Sequence, residues 1–276
     1  MKSLLASFLL LGTLIAEPTP TAIKTFKKID GHELKLHIFN PAGHQATDKT
    51  PAIIFFFGGG WNGGTPKQFY PQSEFLAKRG MVAMSAEYRV KSRHQATPMN
   101  CVQDGLSAIR WVRKHAKELG IDPDMLAAGG GSAGGQVAAA CGTTKGLDEP
   151  KEDKSISSKP NALVLFNPVF DNGPEPGGWG HARVKDYWEK FSPRHNIDKT
   201  SAPTIVFLGT ADHLIPASTA ESYRLAMEQS GVRCDLHLYE GSKHGFFNQG
   251  RKGSQYSETM EAADEFLVSL GYLSKK

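Results

Sequence analysis

Five apolar runs recur along the chain, each ending at or near glycine, asparagine or a charged residue. They are Ala52–Phe57, Met81–Met84, Met125–Ala128, Ala162–Phe166 and Thr204–Leu208. Runs this short and this free of polar side chains predict strands covered on both faces. Helical periods lie between them. Phe69–Lys78 can form a helix, and Asn100–Leu119 carries Val102, Leu106, Ile109, Val112 and Ala116 at spacings of three and four before Gly120 stops it. Residues 136–140 read as a small-residue helix, Pro216–Ser230 begins with a proline suited to a first turn, and Tyr256–Leu270 closes the chain. Ahead of these, Ala22–Ile29 and Glu33–Phe39 flank Asp30-Gly31, a tight-turn pair that predicts a hairpin. Cys234–Tyr239 alternates as a last strand. Eight strands mostly separated by helices predict a single α/β domain over residues 22–273. Its sheet is mostly parallel with helices on both faces, and its site lies at the carboxyl ends of the strands.

Two segments fall outside this alternation. Residues 145–160 are charged and Ser-rich and read as a surface loop. Residues 171–196 keep no period but hold Trp179, Tyr187, Trp188 and Phe191. A long aromatic-bearing loop of this kind is expected to form a partial cap over a site. The N-terminus differs again. A basic start, an apolar stretch over Leu4–Ile15 and then Ala16 before polar residues predict a signal peptide over residues 1–16. The competing readings are an uncleaved anchor or a buried first helix. The leader implies a secreted or periplasmic protein with no stable membrane insertion once it is removed.

Composition narrows the function classes. Lys+Arg 32 against Asp+Glu 28 gives a net charge of +4 over 276 residues, too small and dispersed to point to nucleic acid. Three cysteines are too few for a disulfide framework, and Cys101, Cys141 and Cys234 sit in apolar or small-residue contexts, as buried free thiols would. His32, His37 and His44 match no metal spacing and read as exposed strand histidines, so no metal and no organic cofactor is expected. Asp104, on the first turns of its helix, reads as structural through the helix dipole.

The chemistry concentrates at strand ends. Gly130-Gly131-Ser132-Ala133-Gly134 follows a predicted strand and opens a helix, the setting in which a G-x-S-x-G turn exposes a serine hydroxyl. A serine needs a base near neutral pH, and a histidine held by a carboxylate is the usual one. His244 follows the last strand. Asp212 follows the penultimate strand and is preferred over Asp171 and Glu240. Gly58-Gly59-Gly60-Trp61 follows the third strand. With no Gly-Lys-Ser/Thr ending it is no nucleotide loop, but its N–H groups suit an oxyanion.

These motifs together resemble the α/β-hydrolase esterases of the hormone-sensitive-lipase and acetyl/feruloyl-esterase kind. The likeness runs from about Thr50 to Leu270. It rests on Phe57-Gly58-Gly59-Gly60-Trp61, Glu87-Tyr88-Arg89, Gly130–Gly135, Gly209-Thr210-Ala211-Asp212 and His244-Gly245-Phe246. The resemblance implies an α/β-hydrolase domain with Ser132 as nucleophile, His244 as base and Asp212 as its partner. It also implies Gly59, Gly60 and Ala133 as oxyanion donors, with Glu87 and Arg89 as structural ions beneath the site. Trp61, Trp179 and Phe246 are candidate substrate contacts. Two departures stand out. Phe57 replaces the family histidine, removing a polar anchor from the glycine loop. The stretch from Glu17 to Thr21 is too short for a helical N-terminal cap, which favours a more open esterase. The expected partner is a small-molecule or polysaccharide-linked ester, such as acetylated or feruloylated xylan. An amide-directed serine hydrolase and a noncatalytic carbohydrate-binding protein are the alternatives.

Overall fold

The computed structural model describes residues 17–276; the expected leader, residues 1–16, lies outside the described residues. Strands β1 (Ala22–Ile29), β2 (His32–Phe39), β3 (Thr50–Phe56), β4 (Val82–Ala86), β5 (Ile121–Gly131), β6 (Ala162–Phe166), β7 (Thr204–Gly209) and β8 (Cys234–Tyr239) form one sheet. Their order is β1-β2-β4-β3-β5-β6-β7-β8. β1 and β4 both run antiparallel to β2, and every other pairing is parallel. The first hairpin turns on Asp30 and Gly31, both at positive φ of 50° and 75°, the geometry that a tight two-residue turn requires.

The helices are α1 (Tyr70–Lys78), α2 (Lys91–His94), α3 (Pro98–Lys114), α4 (Ala116–Leu119), α5 (Ala133–Thr143), α6 (Trp188–Phe191), α7 (Ala217–Gln229) and α8 (Tyr256–Ser269). α1 packs with α8 and α3 with α5, on opposite faces of the sheet. Alternation along β3 explains the division. Phe55 stacks on Phe69, just before α1, with ring centroids 4.9 Å apart, while the Phe56 ring lies against Gly105 of α3 on the other face. Phe69 then stacks on Phe247 at 5.6 Å, Phe247 meets Phe166 at 4.9 Å, and Phe166 meets Phe207 at 5.0 Å. This run of buried rings joins the carboxyl ends of β3, β6 and β7, where the site lies.

Several local expectations need correction. The helix expected over 100–119 begins at Pro98. The Thr97 hydroxyl accepts from the Asn100 N–H while the Asn100 side chain accepts from the Thr97 N–H, a capping box. It also breaks at His115, leaving α4 as a separate turn. His37 and His44 are not exposed, with side chains 12% and 6% accessible. His37 lies between the Tyr70 hydroxyl, 2.6 Å from Nδ1, and Glu87, while His44 Nε2 contacts the Leu119 carbonyl at 2.8 Å. Residues 171–196 contain α6 and two short 3-10 turns, His181–Arg183 and Pro193–Asn196. Cys101, Cys141 and Cys234 are free and buried, and burial pushes each thiol up. Among the described residues no helix is long and apolar enough to cross a membrane.

Asp104 has a different role from the dipole partner expected of it. Its fully buried carboxylate accepts from Arg89 Nε and Nη2, both at 2.9 Å, and from Lys27 Nζ at 2.6 Å. Glu149 joins both cations at 3.0 Å. The 145–160 loop is therefore tied inward by its acids: Asp148 and Glu152 likewise hold Arg110. Breaking a buried pair leaves the surviving charge without a partner. We expect Asp104→Asn to lower the unfolding free energy by about 3–5 kcal/mol, read from urea denaturation at unchanged m. A shift under about 1 kcal/mol would mean that water already solvates the cluster.

The acid limb of stability has a second source. Burial pushes the Asp148 carboxyl up, but hydrogen bonds from Arg110 and Ser158 outweigh it and hold the group below the usual carboxylate range. Such a group stabilises the fold above its unfolded value of about 4, and the contribution is lost as pH falls through the lower folded value. Asp148→Asn should accordingly flatten the decline of stability below about pH 4, measured by thermal melts across pH.

Candidate active site

The glycine turn after β5 places Ser132 at φ 55°, ψ −121°, a left-handed backbone that a non-glycine residue adopts only under constraint. The constraint is visible. The Ser132 N–H donates to the Phe166 carbonyl at 3.0 Å, and its own carbonyl accepts from Gln136 and Val169. Next to it, a Cβ on Gly134 would stand 2.1 Å from the Phe56 carbonyl oxygen, so only glycine lets α5 start this close to β3.

Three residues from three strand ends meet here. Ser132 Oγ lies 2.9 Å from His244 Nε2, and His244 Nδ1 lies 2.7 Å from Asp212 Oδ2. The Asp212 side chain is wholly buried, and its Oδ1 accepts from the N–H groups of Leu214 and Ile215 at 2.8 and 3.0 Å. A carboxylate held this way accepts an Nδ1–H, which leaves the Nε2 lone pair for the serine proton. The His244 side chain remains 24% accessible, so the relay opens to solvent on the serine side. Of the competing acids, Glu240 is exposed and Asp171 is engaged elsewhere. Asp171 pairs with Arg194 at 2.6 Å and accepts from the Gly173 N–H, and His213 is exposed.

Asn167 directly follows β6. It is fully buried at φ 34°, and its Oδ1 accepts from the Gly245 N–H at 2.8 Å. That bond turns the amide NH2 toward His244 Nε2, 3.5 Å away. Arg251 Nη1 donates to the His244 carbonyl at 2.9 Å, so the loop carrying the imidazole is held from two sides.

The glycine loop lies against the serine: a Cβ on Gly58 would be 3.3 Å from Ser132 Cβ. Three peptide planes of the loop are held by hydrogen bonds. The Gly58 N–H donates to Gln68 Oε1 at 2.6 Å, and Gln68 in turn donates to Asn248 at 3.0 Å. The Gly59 carbonyl accepts from Asn62 and Gly63 at 3.0 and 3.1 Å, and the Gly60 carbonyl accepts from Arg183 Nη1 at 2.6 Å. In a trans peptide the N–H points opposite its carbonyl, so fixing the Gly59 carbonyl aims the Gly60 N–H. Among the described residues, the N–H groups of Gly59, Gly60 and Ala133 donate to no protein acceptor. The anchor expected to be missing with Phe57 is supplied differently. The Phe57 ring stacks on Tyr88 at 4.1 Å, the Tyr88 hydroxyl donates to the Phe57 carbonyl, and Gln68 provides the polar tie.

The candidate substrate contacts separate. Trp61 and Phe246 are 1% and 3% exposed and present almost no surface to a ligand. Trp61 packs on Trp179 at 5.1 Å and on Phe191 at 5.8 Å, which brings residues 171–196 onto the glycine loop; Trp179 is only partly buried. Beside His244 runs a groove of about 520 Å³ lined by Glu240, Lys243, Phe246, Arg251 and Lys252. A larger cavity of about 790 Å³ lies at the amino ends of β6 and β7, far from the relay, where Arg113 donates to the backbone carbonyls of Pro123 and Lys159. Among the described residues no group of three or more His, Cys, Asp or Glu is placed to hold a metal ion.

Two family profiles match this chain, BD-FAE over residues 36–172 and the dienelactone hydrolase family over residues 182–270. Esterase LipC of Mycobacterium tuberculosis is 29% identical over 228 residues, 72% of this chain and 54% of that protein. A probable isoprenylcysteine alpha-carbonyl methylesterase, ICMEL1 of Arabidopsis thaliana, is 25% identical over 229 residues, 72% of this chain and 46% of its own length. The chain thus spans about half the length of these curated relatives. Among solved structures, the apo form of Thermogutta terrifontis esterase 2 superposes with a TM-score of 0.90 at 46% identity, covering 96% of this chain and 100% of that one. The same esterase phosphorylated by paraoxon gives 0.87 at 48% identity, covering 92% and 96%.

The loop geometry has a direct test. A Cβ on Gly59 would meet the Gly63 carbonyl oxygen at 2.4 Å, in a backbone at φ 126°. Gly59→Ala is expected to keep the far-UV circular dichroism of the parent while slowing phosphonate labelling of Ser132 by about tenfold or more. Undiminished labelling would show that the N–H groups of the loop do not serve the reaction at the serine.

Proposed function

This chain belongs to the α/β-hydrolase serine esterases of the hormone-sensitive-lipase-like group, and on that premise we propose that it hydrolyses carboxylic esters through an acyl-enzyme on Ser132. The observation that carries the reading is the continuous relay Ser132–His244–Asp212, at 2.9 and 2.7 Å, beside three N–H groups without a protein acceptor.

The chemistry follows from those atoms. Ser132 Oγ attacks the ester carbonyl while His244 Nε2 takes its proton, and Asp212 stabilises the imidazolium through Nδ1–H. The carbonyl oxygen becomes an oxyanion received by the N–H groups of Gly59, Gly60 and Ala133. As the tetrahedral carbon collapses, the C–O bond to the alcohol breaks and Nε2–H returns the proton to the departing oxygen. Water then enters by the same path, with His244 again the base, and releases the acid and free Ser132.

The substrate proposed is a short-acyl or aryl ester, with an acetyl or feruloyl ester of a plant polysaccharide as the preferred natural form. Esterase 2 of T. terrifontis has been solved with propionate and with butyrate bound, which supports a short acyl side. The partly buried Trp179, packed on Trp61 at the glycine loop, supports a bulky, ring-bearing alcohol side. Residues 171–196 act as the partial cap. We propose export to the periplasm or the exterior, directed by residues 1–16, and no cofactor.

Hydrolysis of a p-nitrophenyl acetate-to-decanoate series should fall with chain length, and Ser132→Ala should lower kcat by about 10⁴-fold or more. A fluorophosphonate should label the parent and not the variant. Equal activity in Ser132→Ala would overturn the assignment. Labelling without turnover of any ester would move the substrate to an amide, and no labelling at all would favour a binding role. If small esters are cleaved while acetylated and feruloylated xylan are ignored, the polysaccharide proposal fails.

A further inference from the structure

The glycine loop is held chiefly by its own neighbours, with one exception. Carbonyls of Gly59 and Trp61 accept backbone N–H groups from Asn62, Gly63 and Lys91, residues close by in the chain or on the adjoining turn. The Gly60 carbonyl is held by a side chain 123 residues away, Arg183 Nη1 at 2.6 Å. Among the described residues this is the sole hydrogen bond between the 171–196 segment and the loop.

Arg183 is itself placed by stacking. Its guanidinium carbon lies 4.8 Å from the Trp61 ring centroid and 4.7 Å from that of Trp179. A guanidinium can make cation–π contact with two indoles and still donate in a fixed direction from its planar edge, a geometry that a compact ammonium holds less firmly. The segment presenting it is fixed in turn. The Trp179 N–H donates to the Asp171 carbonyl at 2.8 Å, the Trp179 carbonyl accepts from Asn172 Nδ2 at 2.8 Å, and Val184 is 1% exposed. There is no room for a side chain at Gly180, where a Cβ would stand 2.8 Å from the Trp61 ring.

We infer that Arg183 is a positioning residue for the oxyanion loop, acting through the Gly60–Trp61 peptide. Gly60 joins two peptide planes. The first is fixed by Asn62 and Gly63, and the second by Arg183. Glycine offers no steric barrier of its own to rotation, and Gly60 sits at φ 63°. Removing the guanidinium frees the second plane, which carries the Trp61 N–H and shares the Gly60 Cα with the plane that carries the Gly60 N–H, so the loop loses its support on one side of that donor. The cap segment therefore completes the electrostatic half of the site as well as bordering it. This inference rests on the esterase reading of Ser132.

The test compares Arg183→Ala and Arg183→Lys with the parent, using p-nitrophenyl acetate and the rate of fluorophosphonate labelling. For Arg183→Ala we expect kcat and the labelling rate to fall about 10- to 100-fold with KM within about threefold. Millimolar guanidinium should restore part of both, and Arg183→Lys should lie between the two because it keeps a donor and loses the stack. Rates within twofold of the parent would overturn the inference. So would a loss shared by kcat and KM, accompanied by a lower melting temperature and no response to guanidinium, since that pattern describes a fold contact only. A parent that labels but cleaves no ester would count against the ester reading, and the labelling rates alone would still decide the place of Arg183.

Discussion

The left-handed backbone at Ser132 is the constraint on which the rest of this structure turns. It holds a side chain away from the sheet at a point where β5 must end, α5 must begin and β3 must pass within contact. An isolated chain would relax it. Here the Phe166 carbonyl, the Val169 N–H and the bare backbone of Gly134 against Phe56 leave no room to do so. The buried phenylalanines beneath provide the stiffness. Phe55, Phe69, Phe247, Phe166 and Phe207 pass contact from one strand end to the next, so the elements that carry the serine, the imidazole loop and the glycine loop share one rigid floor.

Charge is used in two distinct ways. Arg89, Lys27 and Asp104 are buried together, and with the partly buried Glu149 they join the first hairpin to α3 and to the loop after α5. Nothing in that cluster faces the serine, and its work is to fix the relation between elements. Asp212, by contrast, is surrounded by donors but keeps one oxygen for an imidazole that solvent can reach. The two carboxylates are equally hidden. What distinguishes them is whether the partner is a permanent cation or an imidazole hydrogen-bonded to a serine.

The elements and the strand-end residues were legible because both are local. Apolar runs gave the strands, periods of three and four gave α3, and glycine clusters marked where strands stop at the site. The supports were not legible, because their partners are remote in sequence. Gln68 bonds Asn248, 180 residues on; Arg183 reaches back 123 residues to Gly60; Asn167 meets Gly245 across 78. Nothing about a lone glutamine or asparagine announces such a bond. The same reason explains His37 and His44: alternation along β2 assigns His37 a face that only the packed Tyr70 and Glu87 show to be covered, and His44, in the loop after β2, has its side chain covered where it contacts the Leu119 carbonyl. Asp104 could be read as structural from its helix position, yet the cause is an arginine on another element.

The three thiols carry a consequence for how opening of this molecule can be watched. Each lies in the core on a different element, none is paired, and burial disfavours the thiolate of each. A thiol reagent attacks thiolates that it can touch. Cys141 sits on α5 directly behind the serine turn, Cys101 on α3, and Cys234 at the start of the outermost strand β8. Modification of each one therefore clocks the opening of its own region, and the chain carries three built-in reporters of local and global unfolding.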